Sequence, residues 1–310
     1  MKKDKLSIIA NRKTKSMVEK TAAMIFCGCS VVSIVSVVFI TAFMFYKGVP
    51  TFFEVGFGEI LFSTDWAPTA SDPSYGILYI ILTSIIGVTM AVILAVPIGI
   101  LTAVNLAEIA KPKTRGLVKG AVELLAGIPS IVYGMIGYMV LNPWMYKLEK
   151  LIYSGDSSHT FTGGANLLSA VIVLAIMILP TLINITETAL QAVPDDFRKS
   201  SYALGASKMQ TIFKVVLPTA KTGIASAIVL GVGRAIGEAM AICVVAGNVV
   251  NFPWPFNSVR FLTTAIVTDM KYATGTHMSV LYAIALVLFV FIMVINIILT
   301  TIIKKGDLHD

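Results

Sequence analysis

Residues 76–105 read "GILYIILTSIIGVTMAVILAVPIGILTAVN", a run of thirty positions without a charged side chain. Roughly 20 helical residues cross a hydrocarbon core about 30 Å thick, so this run is long enough to span a bilayer. It is continuously apolar, whereas a barrel strand would alternate apolar and polar residues. Working outward, comparable runs at 21–46, 117–141, 167–186, 223–247 and 276–303 predict six transmembrane helices in an all-α membrane protein. The chain has 310 residues, 56% hydrophobic and 13% charged, against about 25% charged in soluble domains. The first run is too long for a signal-peptide core and no small-residue cleavage site follows it, so it is expected to stay in the protein.

Lys and Arg set the orientation. Seven lie in 1–20, four in 106–120, five in 187–222 and two in the tail, eighteen on one side. The opposite loops hold only Lys47, Lys147, Lys150, Arg260 and Lys271. Both termini are therefore expected in the cytoplasm. The net charge of +7 is a topology signal and requires no nucleic-acid partner. The chain divides into a basic N-terminal segment (1–20), the first span with its outer loop (21–75), a five-span core (76–303) and a short tail (304–310). Trp66, Trp144 and Trp254 fall in outer loops, as interface anchors do.

Chemistry of the catalytic kind is not expected. There is no Walker A run, no HExxH and no nucleophile elbow. Cys27, Cys29 and Cys243 lie in spans and are read as small apolar fillers. His159, His277 and His309 are scattered, so no metal site is expected.

The cytoplasmic loop 187–222 is informative. Pro194, Asp195 and Asp196 open a helix, Gly205 breaks it, Ser207 can cap a second one running to Val216, and Pro218 resets the chain. The result is two short helices outside the bilayer, either an interfacial hairpin or a docking element.

The fifth span contains "GVGRAIGEAM", residues 231–240. Arg234 lies eleven residues past Gly223, roughly 16 Å into the core and near its middle. A charge there costs about 2.5–3.5 kcal/mol on insertion scales, so it must face water or a partner. Read as one helix, Arg234 and Glu238 sit at i and i+4 and can meet as an ion pair. In the third span, Pro129 frees backbone groups. Ser130 and Tyr133 can offer hydroxyls to an anion or satisfy that backbone. Glu123 is expected to pair with Lys119, and Pro180 to kink the fourth span.

Three segments resemble a known family. "YALGASKMQTIFKVVLP" (202–218) is similar to the cytoplasmic-loop signature of bacterial ABC importer permeases, with Gly205, nine residues, then Val215, Val216, Leu217 and Pro218. Lys199, Ser200 and Ser201 stand where the signature has Glu-Ala-Ala. "ELLAGIPSIVYGM" (123–135) and "GVGRAIGEAMA" (231–241) resemble the two membrane signatures of phosphate-specific permeases. "STDWAPTASDPSYGILYIILTS" (63–84) is closer to the PstC type. The resemblance covers about residue 60 to the sixth span.

It implies a type I ABC importer permease architecture in a bacterial cell membrane. The implied partners are a second permease subunit of PstA type, two copies of an ATP-binding subunit and an extracytoplasmic phosphate-binding protein. ATP would be bound by the partner subunit, leaving this chain without a cofactor. Tyr202, Ala203, Leu204, Gly205, Ala206 and Ser207 would couple to the ATPase, while Arg234, Glu238, Ser130 and Tyr133 would line the substrate pathway. Arg234 would contact the anion. Glu238 would accept the phosphate O–H that sulfate lacks, and the pair would close on itself when empty. Alternatives are another oxyanion (sulfate, molybdate, phosphonate), a stand-alone secondary carrier or channel, and a membrane-embedded sensor.

Overall fold

A computed structural model describes the backbone of residues 2–155 and 159–307, with side chains from 19–155 and 159–301. The basic side chains of residues 2–18, those of Lys304 and Lys305, and His309 lie outside the described residues. Helix α1 (Lys2–Thr51) contains the first predicted span. Met24 to Ile40 of α1 are open on all sides within the chain, Cys27 and Cys29 included. These cysteines are thus outward-facing, and not the buried fillers expected. Toward its C-terminal end α1 meets α14 (Thr276–Asp307): the Phe43 and Tyr282 rings lie 5.8 Å apart, and Thr51 Oγ1 donates to the Ser279 carbonyl at 3.2 Å.

A π-turn, Phe52–Gly56, leads to α2 (Phe57–Phe62) and a two-stranded hairpin, β1 (Trp66–Ala67) against β2 (Ser74–Tyr75). The strands are antiparallel with Trp66 opposite Tyr75. Trp66 is half-buried, with its ring 5.8 Å from His277 and the Arg260 guanidinium 5.9 Å above it. Trp66 therefore packs the outer cap, while Trp144 and Trp254 are exposed as interface anchors would be.

Helix α3 (Leu78–Val104) realises the second span and ends in a π-turn, Asn105–Ile109. The third span is not straight. It comprises α4 (Pro112–Gly127), α5 (Ser130–Ile136), a π-turn at Gly137–Leu141 and α6 (Asn142–Ile152). The arms Pro112–Gly127 and Ser130–Ile152 meet at 101°. Pro129 causes the bend: its ring disfavours α-conformation in the preceding residue, and Ile128 is extended at φ −75°, ψ 128°.

Helix α7 (Leu167–Gln191) is the most enclosed span and continues through Pro180. Its first turn is capped by Asn166, whose side chain accepts from the Ser169 N–H at 3.0 Å. The 187–222 loop holds α8 (Asp195–Ala203), α9 (Lys208–Thr211), a π-turn at Ile212–Val216 and α10 (Leu217–Thr219). Then come α11 (Lys221–Gly237), α12 (Met240–Val245), α13 (Leu262–Asp269) and α14.

Four uninterrupted helices among the described residues are long and apolar enough to cross a membrane, and there are six spans when each of two bent pairs counts as one. α3 and α11 pack on α7 through Ala91, Ala95, Ala227 and Ala235, all fully or nearly fully buried. Helices in lipid gain no hydrophobic drive from association, so small residues that permit close contact supply the adhesion.

Candidate functional site

The fifth span is interrupted where the sequence reads as continuous helix. α11 stops at Gly237; Glu238 is extended (φ −75°, ψ 126°), and the helix resumes at Met240. The expected i,i+4 geometry is therefore lost. Glu238 Oε1 accepts from the Ala241 N–H at 3.0 Å, and its carbonyl accepts from Thr263 Oγ1 at 2.7 Å. A restarted helix has N–H groups without intrahelical partners, and this carboxylate takes one of them. Arg234 is exposed, and its Nη1 reaches Thr181 Oγ1 at 3.5 Å. No ion pair joins Arg234 to Glu238 among the described residues, so the pair is not closed on itself here.

The third span breaks beside it. Tyr133 Oη donates to the Leu125 carbonyl at 2.7 Å, across Pro129. Of the two readings of Tyr133, satisfaction of freed backbone is the one its hydroxyl adopts. Ser130 is the first residue of α5, and half-buried. A Cβ on Gly134 would lie 2.8 Å from Ala241 Cα, and one on Gly137 would lie 2.7 Å from Val245 Cγ1. These contacts advance together along both chains, so α5 and α12 are parallel half-helices in near backbone contact. Both begin at a break, which brings Ser130, Tyr133 and Glu238 into one neighbourhood, with Arg234 one turn before the second break. A helix N-terminus is the positive end of its dipole. Each break also ends a helix at its negative pole, and there Arg234 stands in the last turn of α11 while the Glu238 carboxylate meets the start of α12.

The 187–222 loop follows its sequence closely. Gly205 has φ +83°, a left-handed conformation that L-residues with a Cβ resist. Nothing lies within 4 Å of a Cβ placed there, so backbone conformation, not crowding, demands glycine. Ser207 Oγ accepts from the Gln210 N–H at 3.3 Å, while Gln210 Oε1 accepts from the Ser207 N–H at 2.8 Å, a capping box. Tyr202, Ala203, Leu204, Gly205 and Ser207 are exposed and Ala206 is half-buried; Leu204 is 89% exposed. An apolar groove of about 530 Å³ runs beside them, lined by Phe197, Leu204, Ala206 and Val215 among others. The acidic pair opens α8 without side-chain caps.

Buried charges that the sequence reading missed hold this end together. Glu187 on α7 is buried and binds Arg115 at 2.9 Å, Lys119 at 3.4 Å and Gln191 at 2.8 Å. Lys119 is thus committed to Glu187, one turn along α4 from Arg115, and the expected Lys119–Glu123 pair is absent; Glu123 is exposed. Arg198 on α8 binds Glu108 at 2.6 Å. That hydrogen bond raises the Arg198 pKa above its ordinary value, outweighing the opposing effect of burial. At the opposite end of the bundle Glu149 is fully buried and accepts from Thr162 N at 3.0 Å and Thr162 Oγ1 at 3.1 Å, with His159 Nε2 at 2.9 Å. A glutamate in an amphipathic outer helix followed ten residues later by histidine was the available signal.

Residues 95–305 match the family model described as binding-protein-dependent transport system inner membrane component. The chain belongs to that family. This permease is 38% identical over 298 residues to the probable ABC transporter permease protein YqgH of Bacillus subtilis, covering 93% of each chain. It is 37% identical over 249 residues to the phosphate transport system permease protein PstC of Pasteurella multocida, covering 77% of each. In fold the permease is similar to the inward-facing MetNI methionine ABC transporter, with a TM-score of 0.51 and 18% identity over 74% of this chain and 94% of that one. The permease is thus an integral membrane subunit of ABC importer type, with the all-α type I fold.

Proposed function

We propose that this permease is the PstC-type half of an ATP-driven importer of inorganic phosphate. The observation that carries the reading is Arg234, a cation in the last turn of α11 just before the break at Glu238, with no carboxylate partner among the described residues. Relatives bearing the name phosphate transport system permease support phosphate as the cargo. In this reading the second wall of the pathway comes from a PstA-type subunit. ATP is bound and hydrolysed by two copies of a separate subunit seated on the Gly205 loop, and phosphate arrives from an extracytoplasmic binding protein. The excess of Lys and Arg in 1–20, 106–120 and 187–222 supports cytoplasmic termini.

Arg234 holds the anion through charge-assisted bonds from a planar fork that matches phosphate oxygens. Glu238 spends Oε1 on its helix cap, leaving Oε2 to accept a proton from phosphate. A sulfate dianion has none to donate and meets like charge instead. Ser130 supplies a further hydroxyl beside the break.

The test is ATP-dependent uptake of labelled phosphate into vesicles holding this permease, its partners and internal ATP. Accumulation that excess phosphate blocks and excess sulfate does not block supports the reading. Preferential uptake of sulfate, molybdate or phosphonate would assign a different oxyanion. Uptake without ATP or an ATPase subunit would make the chain a stand-alone carrier.

A further inference from the structure

Arg198 lies on α8 and is held from three directions. Its Nε and Nη2 donate to Glu108 Oε1 at 3.2 and 2.6 Å, at the cytoplasmic end of α3. Nη2 also donates to the Leu190 carbonyl at 2.9 Å, in the last turn of α7, and Nη1 to the Val193 carbonyl at 2.6 Å, two residues past its end. Nη1 further reaches Asp195 Oδ1 at 3.3 Å. The last carbonyls of a helix lack intrahelical partners and form its negative end, so a cation there is well placed. The side chains of Arg198 and Glu108 are only 15% and 9% exposed, which shields the pair from competing water and salt.

One guanidinium therefore joins the short exposed helix to two spans at once. α3 and α7 pack along their length, and α7 carries Thr181, the residue that Arg234 reaches. Lysine could not replace this joint, because an ammonium has three donors on one atom and no planar fork.

We propose that Arg198 is a positioning residue that locks α8 to α3 and α7, so that displacement of the cytoplasmic loop reaches the Arg234 level without slip. The proposal rests on the reading that an ATPase subunit drives this loop. α8, α3 and α7 then move as one body when the nucleotide state changes. Losing the fork leaves α8 able to dock yet free to slide, and hydrolysis continues without equivalent transport.

The experiment uses the assembled complex, with Cys27, Cys29 and Cys243 replaced and nitroxides attached at Lys199→Cys on α8 and Thr188→Cys on α7, both exposed positions. Electron–electron resonance reports their separation with and without bound ATP, and vesicles report phosphate moved per ATP hydrolysed. With Arg198 present, the separation should be the same in both nucleotide states. In Arg198→Lys it should shift or broaden by several ångströms on ATP binding, with phosphate moved per ATP falling about tenfold while the ATPase still co-purifies. Should that variant not assemble, Glu108→Gln, which keeps the shape and one acceptor oxygen, should show the same slip more weakly. A separation that changes with ATP in the unaltered pair overturns the proposal, as does an Arg198→Lys complex matching it in both readouts. If the unaltered complex moves no phosphate while its labels stay locked and those of Arg198→Lys slip, the cargo assignment is wrong and the joint stands.

Discussion

The Tyr133 hydroxyl and the Leu125 carbonyl, 2.7 Å apart, close over the gap that Pro129 makes in the third span. A phenol eight residues along the chain takes up a carbonyl that helix would otherwise have bonded. The Ile128 N–H donates to the same carbonyl at 3.2 Å, so the phenol adds a second bond that ties the two arms of the bend together.

Tyr133→Phe should therefore destabilise the bend. The Leu125 carbonyl keeps the Ile128 N–H at 3.2 Å, so the expected cost is that of one lost hydrogen bond, about 0.5–1.5 kcal/mol. A lower melting temperature of the detergent-solubilised complex, with the remaining folded fraction still transporting, checks this. A variant with unchanged melting and abolished uptake would instead make the hydroxyl a substrate ligand.

Arg234→Ala and Arg234→Lys should both assemble normally and lose uptake. A charge-assisted hydrogen bond is worth about 1.5–3 kcal/mol, so a fall of roughly ten- to a hundredfold is expected for Ala, and less for Lys. Initial rates in vesicles measure it, with co-purified ATPase as the control for assembly. Rates equal to those of the unaltered permease in both variants would reduce Arg234 to a packing residue.

Glu238→Gln separates two roles. Its amide oxygen can still accept from the Ala241 N–H, so the break and the melting temperature should persist. Its amide nitrogen can donate to sulfate, so excess sulfate should now compete with phosphate. The comparison requires phosphate supplied directly, bypassing the binding protein's own selectivity. Undiminished resistance to sulfate would leave Glu238 as a helix cap alone.

Gly205→Leu should weaken ATPase docking while insertion in the membrane is unaffected. The left-handed backbone at φ +83° costs a residue with a Cβ about 1–2 kcal/mol. The added bulk also projects from an exposed turn. Retention of the ATPase subunit on an affinity column and uptake both report the loss; normal values for both would remove the docking role from this turn.

Features written in adjacent residues were legible. Gly205 and the Ser207–Gln210 box are local devices, and the structure places the helix break and the cap where the sequence puts them. Pro129 announced a disturbance, though not a 101° bend. The break at Glu238 carried no such mark: "AIGEAM" has no proline, and the interruption depends on a carboxylate turning back to cap Ala241 and on Thr263 holding the Glu238 carbonyl. Glu187 with Arg115, and Arg198 with Glu108, were unreadable for another reason. Their partners stand 72 and 90 residues away, and no local pattern announces a pairing at that distance. The residue types told where charge is costly; only the packing told which charges meet.

The contact between α1 and α14 has a temporal side. α1 finds its principal packing partner among the described residues in α14, with Thr51 and Ser279 lying 228 positions apart. Until α14 is made, the Phe43–Thr51 end of α1 lacks this partner in the bilayer, while the spans around α7 are laid down. A chain cut short before residue 276 would therefore carry the bundle around α7 but never seat α1.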